Sequence, residues 1–281
     1  MWTLKERGSL VEILKAILFG IIEGITEWLP ISSTGHMILL DEFIELSMSE
    51  AFKEMFLVVV QLGAILAVVI LFWKEIWPFT APQKGWIKKD IFSMWFKIVV
   101  ACIPAVILEF AFGDKMEELF YNYQTVAIML ITVGILFILV EQWNQGREAK
   151  IVSIGEITYK IAFLIGVFQL VAALFPGTSR SGATIIGGLI LGLSRTVAAE
   201  FTFYLAIPVM FGASFLKLLK FGLHFSPLEL GVLLTGMVTA FLVSVFVIRF
   251  LMGYIKKHDF KVFGWYRIAL GIVVVVAFLV F

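Results

Sequence analysis

What this chain can fold into is limited first by the grouping of its apolar residues. Stretches long enough to be helices lie near 10–29, 54–75, 91–112, 124–143, 160–175, 196–219, 228–251 and 263–281. In hydrocarbon every backbone amide and carbonyl must find its partner within the protein, which leaves helices and closed barrels. Runs of about 20 apolar residues select helices. With 61% hydrophobic and only 15% charged residues, against the quarter or so charged in a soluble domain, the chain is expected to be an all-α integral membrane protein. The formal charge of +1 carries no footprint of nucleic acid, and a single cysteine, Cys102, excludes an intrachain disulfide framework and a cysteine-built metal site. Lys5 and Arg7 precede the first apolar run, but Glu23 and Glu27 interrupt it and no small-residue cleavage site follows, so the segment is expected to stay in the mature protein.

Two further apolar pieces, near 36–46 and 182–193, are too short to span, and each follows a polar loop containing proline. Each is expected to pair with the helix before it as a re-entrant hairpin, since irregular backbone at membrane depth needs protein or a water cavity around it. The halves also resemble each other. Placing Gly20 on Gly166 sets Glu23 on Gln169, Pro30 on Pro176, Ser32 on Thr178, Ser33 on Ser179 and Glu54 on Glu200. The expectation is one polytopic membrane domain with repeat one at about 1–145 and repeat two at about 146–281. Each repeat is a re-entrant helix hairpin plus three transmembrane helices. Three is odd, so the second half enters from the opposite face, giving an inverted-topology repeat whose polar loops meet near the midplane.

Lys and Arg counts orient this arrangement. The face holding 74–97, 144–160, 195 and 249–267 carries about 14 of them, and the face holding both termini about 7. The first is expected to be cytoplasmic, with both termini and the mouth of the first hairpin outside.

Ionisable residues in such surroundings default to functional readings. Glu23 and Glu27 stand four apart, on one helix face, where two carboxylates share either a proton or a divalent cation such as Mg²⁺ or Ca²⁺. In Pro30-Ile31-Ser32-Ser33-Thr34-Gly35-His36, free amides and three hydroxyls form an anion cradle, and His36 follows Ser33 by one helical turn. Pro176-Gly177-Thr178-Ser179-Arg180-Ser181-Gly182 repeats the device and adds a guanidinium suited to bidentate phosphate contacts. Catalytic work is therefore expected of Glu27, Ser33, His36 and Arg180. Phosphate binding is expected of Ser32, Thr34, Ser179, Arg180, Ser181 and Thr184, a cation of Glu23 and Glu27, and supporting contacts of Gln61, Gln169 and Glu200. Gln169 and Ala173 at the positions equivalent to Glu23 and Glu27 make the site asymmetric.

The segments 23–36 and 176–184 closely resemble the two hallmark motifs of the undecaprenyl-pyrophosphate phosphatase family of the bacitracin-resistance type. Gln61-Leu62-Gly63-Ala64-Ile65-Leu66-Ala67-Val68-Val69 and Ala199-Glu200-Phe201 are similar to that family too. The resemblance implies a bacterial plasma-membrane enzyme that removes the terminal phosphate of undecaprenyl pyrophosphate, for carrier recycling in cell-wall synthesis. It also implies bacitracin resistance, dependence on a divalent cation and a site reached from the outer face. One departure is Leu57, where family members often carry an acid four residues before Gln-Leu-Gly. The implied partners are a polyprenyl pyrophosphate lipid and the bilayer, and a homodimer is compatible with this reading. The rival is a polyprenyl-phosphate flippase, suggested by the inverted repeat and broken helices; a pure carrier has no use for a serine–histidine–acid group. The sequence leaves open whether serine, histidine or water attacks phosphorus.

Overall fold

The apolar runs become helices, as the need to satisfy backbone groups internally requires. The structure, a computed structural model, describes residues 4–80, 86–222 and 224–280. Twelve α-helices follow along the described chain: α1 Leu4–Thr26, α2 Ser33–Phe43, α3 Glu50–Val59, α4 Gln61–Leu71, α5 Trp73–Ile76, α6 Lys89–Phe120, α7 Tyr123–Trp143, α8 Tyr159–Leu174, α9 Arg180–Ile190, α10 Arg195–Phe221, α11 Pro227–Ile255 and α12 Lys261–Val280. Many begin where a side-chain oxygen takes a first-turn amide. Ser49, Asn122, Thr158, Ser194 and Ser226 cap α3, α7, α8, α10 and α11, each contributing about 1 kcal/mol.

Among the described residues, six segments are long and apolar enough to cross a membrane: Glu50–Leu71, Lys89–Gly113, Tyr123–Trp143, Arg195–Phe221, Pro227–Ile255 and Lys261–Leu279. This is a multi-pass membrane protein. Large apolar side chains such as Phe110, Phe211, Leu242 and Phe246 face outward, as suits a lipid solvent. Some helices differ from the stretches read in the sequence, α1 by starting at Leu4 rather than near residue 10. The span near 54–75 is interrupted at Val60 into α3 and α4, and α6 continues to Phe120 because Lys115-Met116-Glu117-Glu118-Leu119, all good helix formers, carry it past the apolar run.

The packing exchanges partners between the halves. α1 lies on α11 and α8 on α6, while α7 lies on α12 and α10 on α4. Glycine makes the closest approaches: a Cβ on Gly20 would stand 2.6 Å from the Gly236 carbonyl oxygen, and one on Gly166 2.3 Å from that of Ala101. The α7–α12 contact is reciprocal. A Cβ on Gly134 would meet the Gly264 carbonyl oxygen at 2.7 Å, and a Cβ on Gly264 the Gly134 carbonyl oxygen at 2.7 Å. Small residues allow helices in lipid to gain van der Waals contact that a hydrophobic driving force does not supply there.

One cation is not where its sequence context put it. Arg267, counted above with the basic face, is fully buried, because its guanidinium finds carbonyl partners in the two polar loops. The loop at 80–90 expected on that same face is described only at 80 and 86–90, and the side chains of Lys5 and Arg7 lie outside the described ones.

Candidate active site

Two short helices start from the polar loops, and their first residues make the site. Ser32 caps α2, accepting from the Gly35 amide at 3.3 Å, and Ser179 caps α9, accepting from the Gly182 amide at 3.1 Å. Among the described residues these two are the only non-glycines with positive φ, 75° and 67°. Such backbone costs about 1–3 kcal/mol each, offset here by the cap hydrogen bonds. The matching caps shift the register read from sequence. The second loop has one more residue between its proline and its capped glycine, so Ser32 corresponds to Ser179 and Ser33 to Arg180.

Glu27 joins these two corresponding positions. Ser33 donates its hydroxyl to Glu27 Oε2 at 2.9 Å, and Arg180 Nη2 donates to Glu27 Oε1 at 2.8 Å. Ser181 donates its hydroxyl to the Glu27 carbonyl oxygen at 3.2 Å. Arg180 is held further by the Thr202 carbonyl oxygen at 3.2 Å, and Thr184 donates to the Arg180 carbonyl oxygen at 2.9 Å while lying 2.8 Å from the Thr202 hydroxyl. Ser179 Oγ and Ser181 Oγ are 3.0 Å apart. A carboxylate that accepts from a serine hydroxyl is placed to take its proton, and the guanidinium beside it pairs with that carboxylate in the protein interior.

Other expected residues sit around this group. Glu23 is fully buried, Glu27 and Arg180 are its charged neighbours, and its Oε1 has no partner among the described residues. Gln169, its counterpart in the second half, is buried, and neither of its amide atoms has a partner among the described residues. Thr34 lines a cavity of about 220 Å³ together with Glu109, Tyr121, Ala173 and Pro176. Gln61 is half-buried at the start of α4. Glu200 has Glu75 and Lys256 as its charged neighbours rather than the Glu27 group. Glu54 is exposed and pairs with Lys217 at 3.4 Å. His36 does not reach Ser33: Nδ1 lies 2.8 Å from the Ser32 carbonyl oxygen and Nε2 2.7 Å from the Tyr266 hydroxyl.

The sequence reading missed Arg267. It donates to the carbonyl oxygens of Pro30 at 3.2 Å, Gly177 at 2.8 Å and Thr178 at 2.9 Å, so one guanidinium ties both loops together. No carboxylate pairs with it among the described residues. An arginine seven residues into an apolar helix was the available signal.

Comparison with known proteins adds an independent observation. A sequence family described as "Bacitracin resistance protein BacA" matches residues 16–273. An undecaprenyl-diphosphatase of Desulfitobacterium hafniense is 66% identical over 270 residues, which is 96% of this chain and 97% of that protein. Undecaprenyl-diphosphatase 1 of Clostridium acetobutylicum is 64% identical, covering 96% of this chain and 98% of that protein. An undecaprenyl-diphosphatase of Enterococcus faecalis is 62% identical, covering 94% and 96%.

Proposed function

From a chain that belongs to the bacitracin resistance protein BacA family, we propose that the Glu27–Arg180–Ser33 group removes the terminal phosphate of membrane-held undecaprenyl pyrophosphate. The chain is a multi-pass membrane hydrolase acting on a lipid pyrophosphate. The observation that carries the assignment of residues is Glu27, which touches a hydroxyl from one loop and a guanidinium from the other. Phosphoryl transfer asks mainly for positioning and charge neutralisation. Arg180 and the loop amides provide both, and Arg267, which has no carboxylate partner among the described residues, adds positive charge that an anionic head group complements. Transport without hydrolysis would leave the Ser33–Glu27 contact without a task.

In the proposed reaction Ser33 Oγ attacks the terminal phosphorus while its proton passes to Glu27. The phosphoanhydride P–O bond breaks and undecaprenyl phosphate leaves. Water then attacks the phosphoserine, releasing orthophosphate and restoring the hydroxyl. Ser33→Ala is expected to abolish turnover, and brief incubation of the wild type with labelled substrate should leave label on Ser33. Substantial hydrolysis by Ser33→Ala would instead assign attack to water activated by Glu27.

A divalent cation fits as a companion of the substrate rather than a resident of a protein cage. No group of three or more histidine, cysteine or acidic side chains converges among the described residues. Glu23, with its free buried oxygen one turn from Glu27, matches the one or two carboxylates by which Mg²⁺ is held together with substrate phosphates. A cation there would neutralise charge on the pyrophosphate. The reading as a whole is tested by orthophosphate release from polyprenyl pyrophosphate by the purified protein. Release should stop with chelator and return with Mg²⁺ or Ca²⁺; a rate untouched by chelator removes the cation and leaves Glu23 sharing a proton with Glu27.

The partner exchange between α1–α11 and α8–α6 supports an inverted repeat of two re-entrant hairpins, each followed by three spans. The Lys/Arg asymmetry supports termini on the outer face. The cavity at Thr34, lined also by Met116 and Tyr121 beside the α6–α7 connection, supports a site that opens outward. In a Cys102→Ser background, Glu118→Cys should react with an impermeant thiol reagent in intact cells and Gln145→Cys only after permeabilisation. The opposite labelling would invert the orientation.

A further inference from the structure

Neither nitrogen of the His36 ring meets Ser33 or Glu27, yet both are committed. Nδ1 faces a carbonyl oxygen, that of Ser32 at 2.8 Å, which can only accept; Nδ1 therefore carries a hydrogen. In the neutral ring Nε2 then accepts from the Tyr266 hydroxyl 2.7 Å away. The two ring planes are nearly parallel, 6° apart, with centroids separated by 5.6 Å. One backbone atom of the anion loop and one hydroxyl from the last helix together fix the rotation and the tautomer of the imidazole. A phenol suits this place because it donates to Nε2 of the neutral ring and accepts from Nε2–H of the charged one, so the contact survives when the ring gains a proton.

Tyr266 is also held in register with the loop. Its neighbour Arg267 is clasped to Pro30, Gly177 and Thr178, so α12 cannot drift relative to the residues that aim His36. Tyr266 itself is 46% exposed, too open for its hydroxyl to be explained as a core residue finding a partner.

We propose that Tyr266 is a positioning residue for the phosphatase reaction: it holds the His36 imidazole in the Nδ1–H tautomer against the Ser32 carbonyl, at the start of the loop and helix that carry Ser33. This inference rests on the phosphatase reading and concerns a residue with no assigned part in it. The test is Tyr266→Phe in the purified full chain, which keeps the ring and removes the hydroxyl. The turnover number should fall roughly 10- to 100-fold, the scale of losing one hydrogen bond to a group that carries charge during turnover, with KM changed less than about two-fold. Added to His36→Ala, the same substitution should have almost no further effect, because residues acting as one unit are not additive. The ¹⁵N spectrum of ring-labelled histidine should show the Nδ1–H tautomer in the wild type and a mixture in Tyr266→Phe. Unchanged turnover, a fully additive loss in the double variant or an unchanged tautomer overturns the proposal. So does a faster Tyr266→Phe enzyme, which would make the tyrosine a brake that parks the ring. Wild-type protein that releases no orthophosphate would overturn the phosphatase reading instead, and the spectrum would still report on Tyr266.

Discussion

Arg180→Ala is expected to lower orthophosphate release by about 10³-fold or more, the scale on which an arginine stabilising a transferring phosphoryl group acts. The substitution removes the cation nearest to the Ser33–Glu27 pair and leaves a carboxylate buried without its partner at 2.8 Å. Losing one member of a buried pair costs about 3–5 kcal/mol, so some loss of thermal stability is expected alongside. Arg180→Lys separates the two effects. It restores a charge for Glu27 but not the planar fork that grips two phosphate oxygens, and should recover stability further than rate. Phosphate release by purified Arg180→Ala at near the wild-type rate would take this residue out of the site.

Arg267→Leu is expected to have the largest effect on integrity. Leucine fits an apolar helix better than a guanidinium does, and exchanging a buried ion for a hydrophobe is often harmless. Here the cost falls on what the ion holds: the carbonyls of Pro30, Gly177 and Thr178 would be left buried and unpaired, at about 1–3 kcal/mol each. The two loops would lose their common tie, and turnover should fall at least about 100-fold, as misplacement of reacting groups by an ångström does. Thermal unfolding in detergent and phosphate release check this together. A wild-type midpoint and rate in Arg267→Leu would mean that the cap hydrogen bonds at Ser32 and Ser179 hold the loops unaided.

The spans were legible because apolar length is a strong signal, and the two short helices because they were too short to span. The break at Val60 was not, since valine in an apolar run gives no sign of an interrupted helix. Glu23, Glu27, Ser33 and Arg180 stood out as polar residues in apolar flanks. The relation between Ser33 and Arg180 did not, because an alignment without gaps set Ser33 on Ser179. The extra residue between Pro176 and Gly182, compared with Pro30 and Gly35, held the correction. Arg267 was obscured by its company, the basic stretch Lys256, Lys257, Lys261, where one more cation reads as surface charge. His36 was assigned to Ser33 on spacing alone. Spacing fixes which turn a residue occupies, not which way its ring points.

The reciprocal contact of Gly134 and Gly264 limits how the two halves can move. Each glycine lies under the other's carbonyl with no room for a β-carbon, and the flanking contacts repeat the exchange, Ile268 beside Gly134 and Ile138 beside Gly264. Sliding one helix along the other by a single residue, about 1.5 Å, would carry Val133 or Ile135 towards the space that only a glycine fits. The seam thus admits one registration, like a keyed joint. Whatever displacement admits the lipid head group must occur in elements away from α7 and α12, which stay together as the fixed frame against which the loops are aligned.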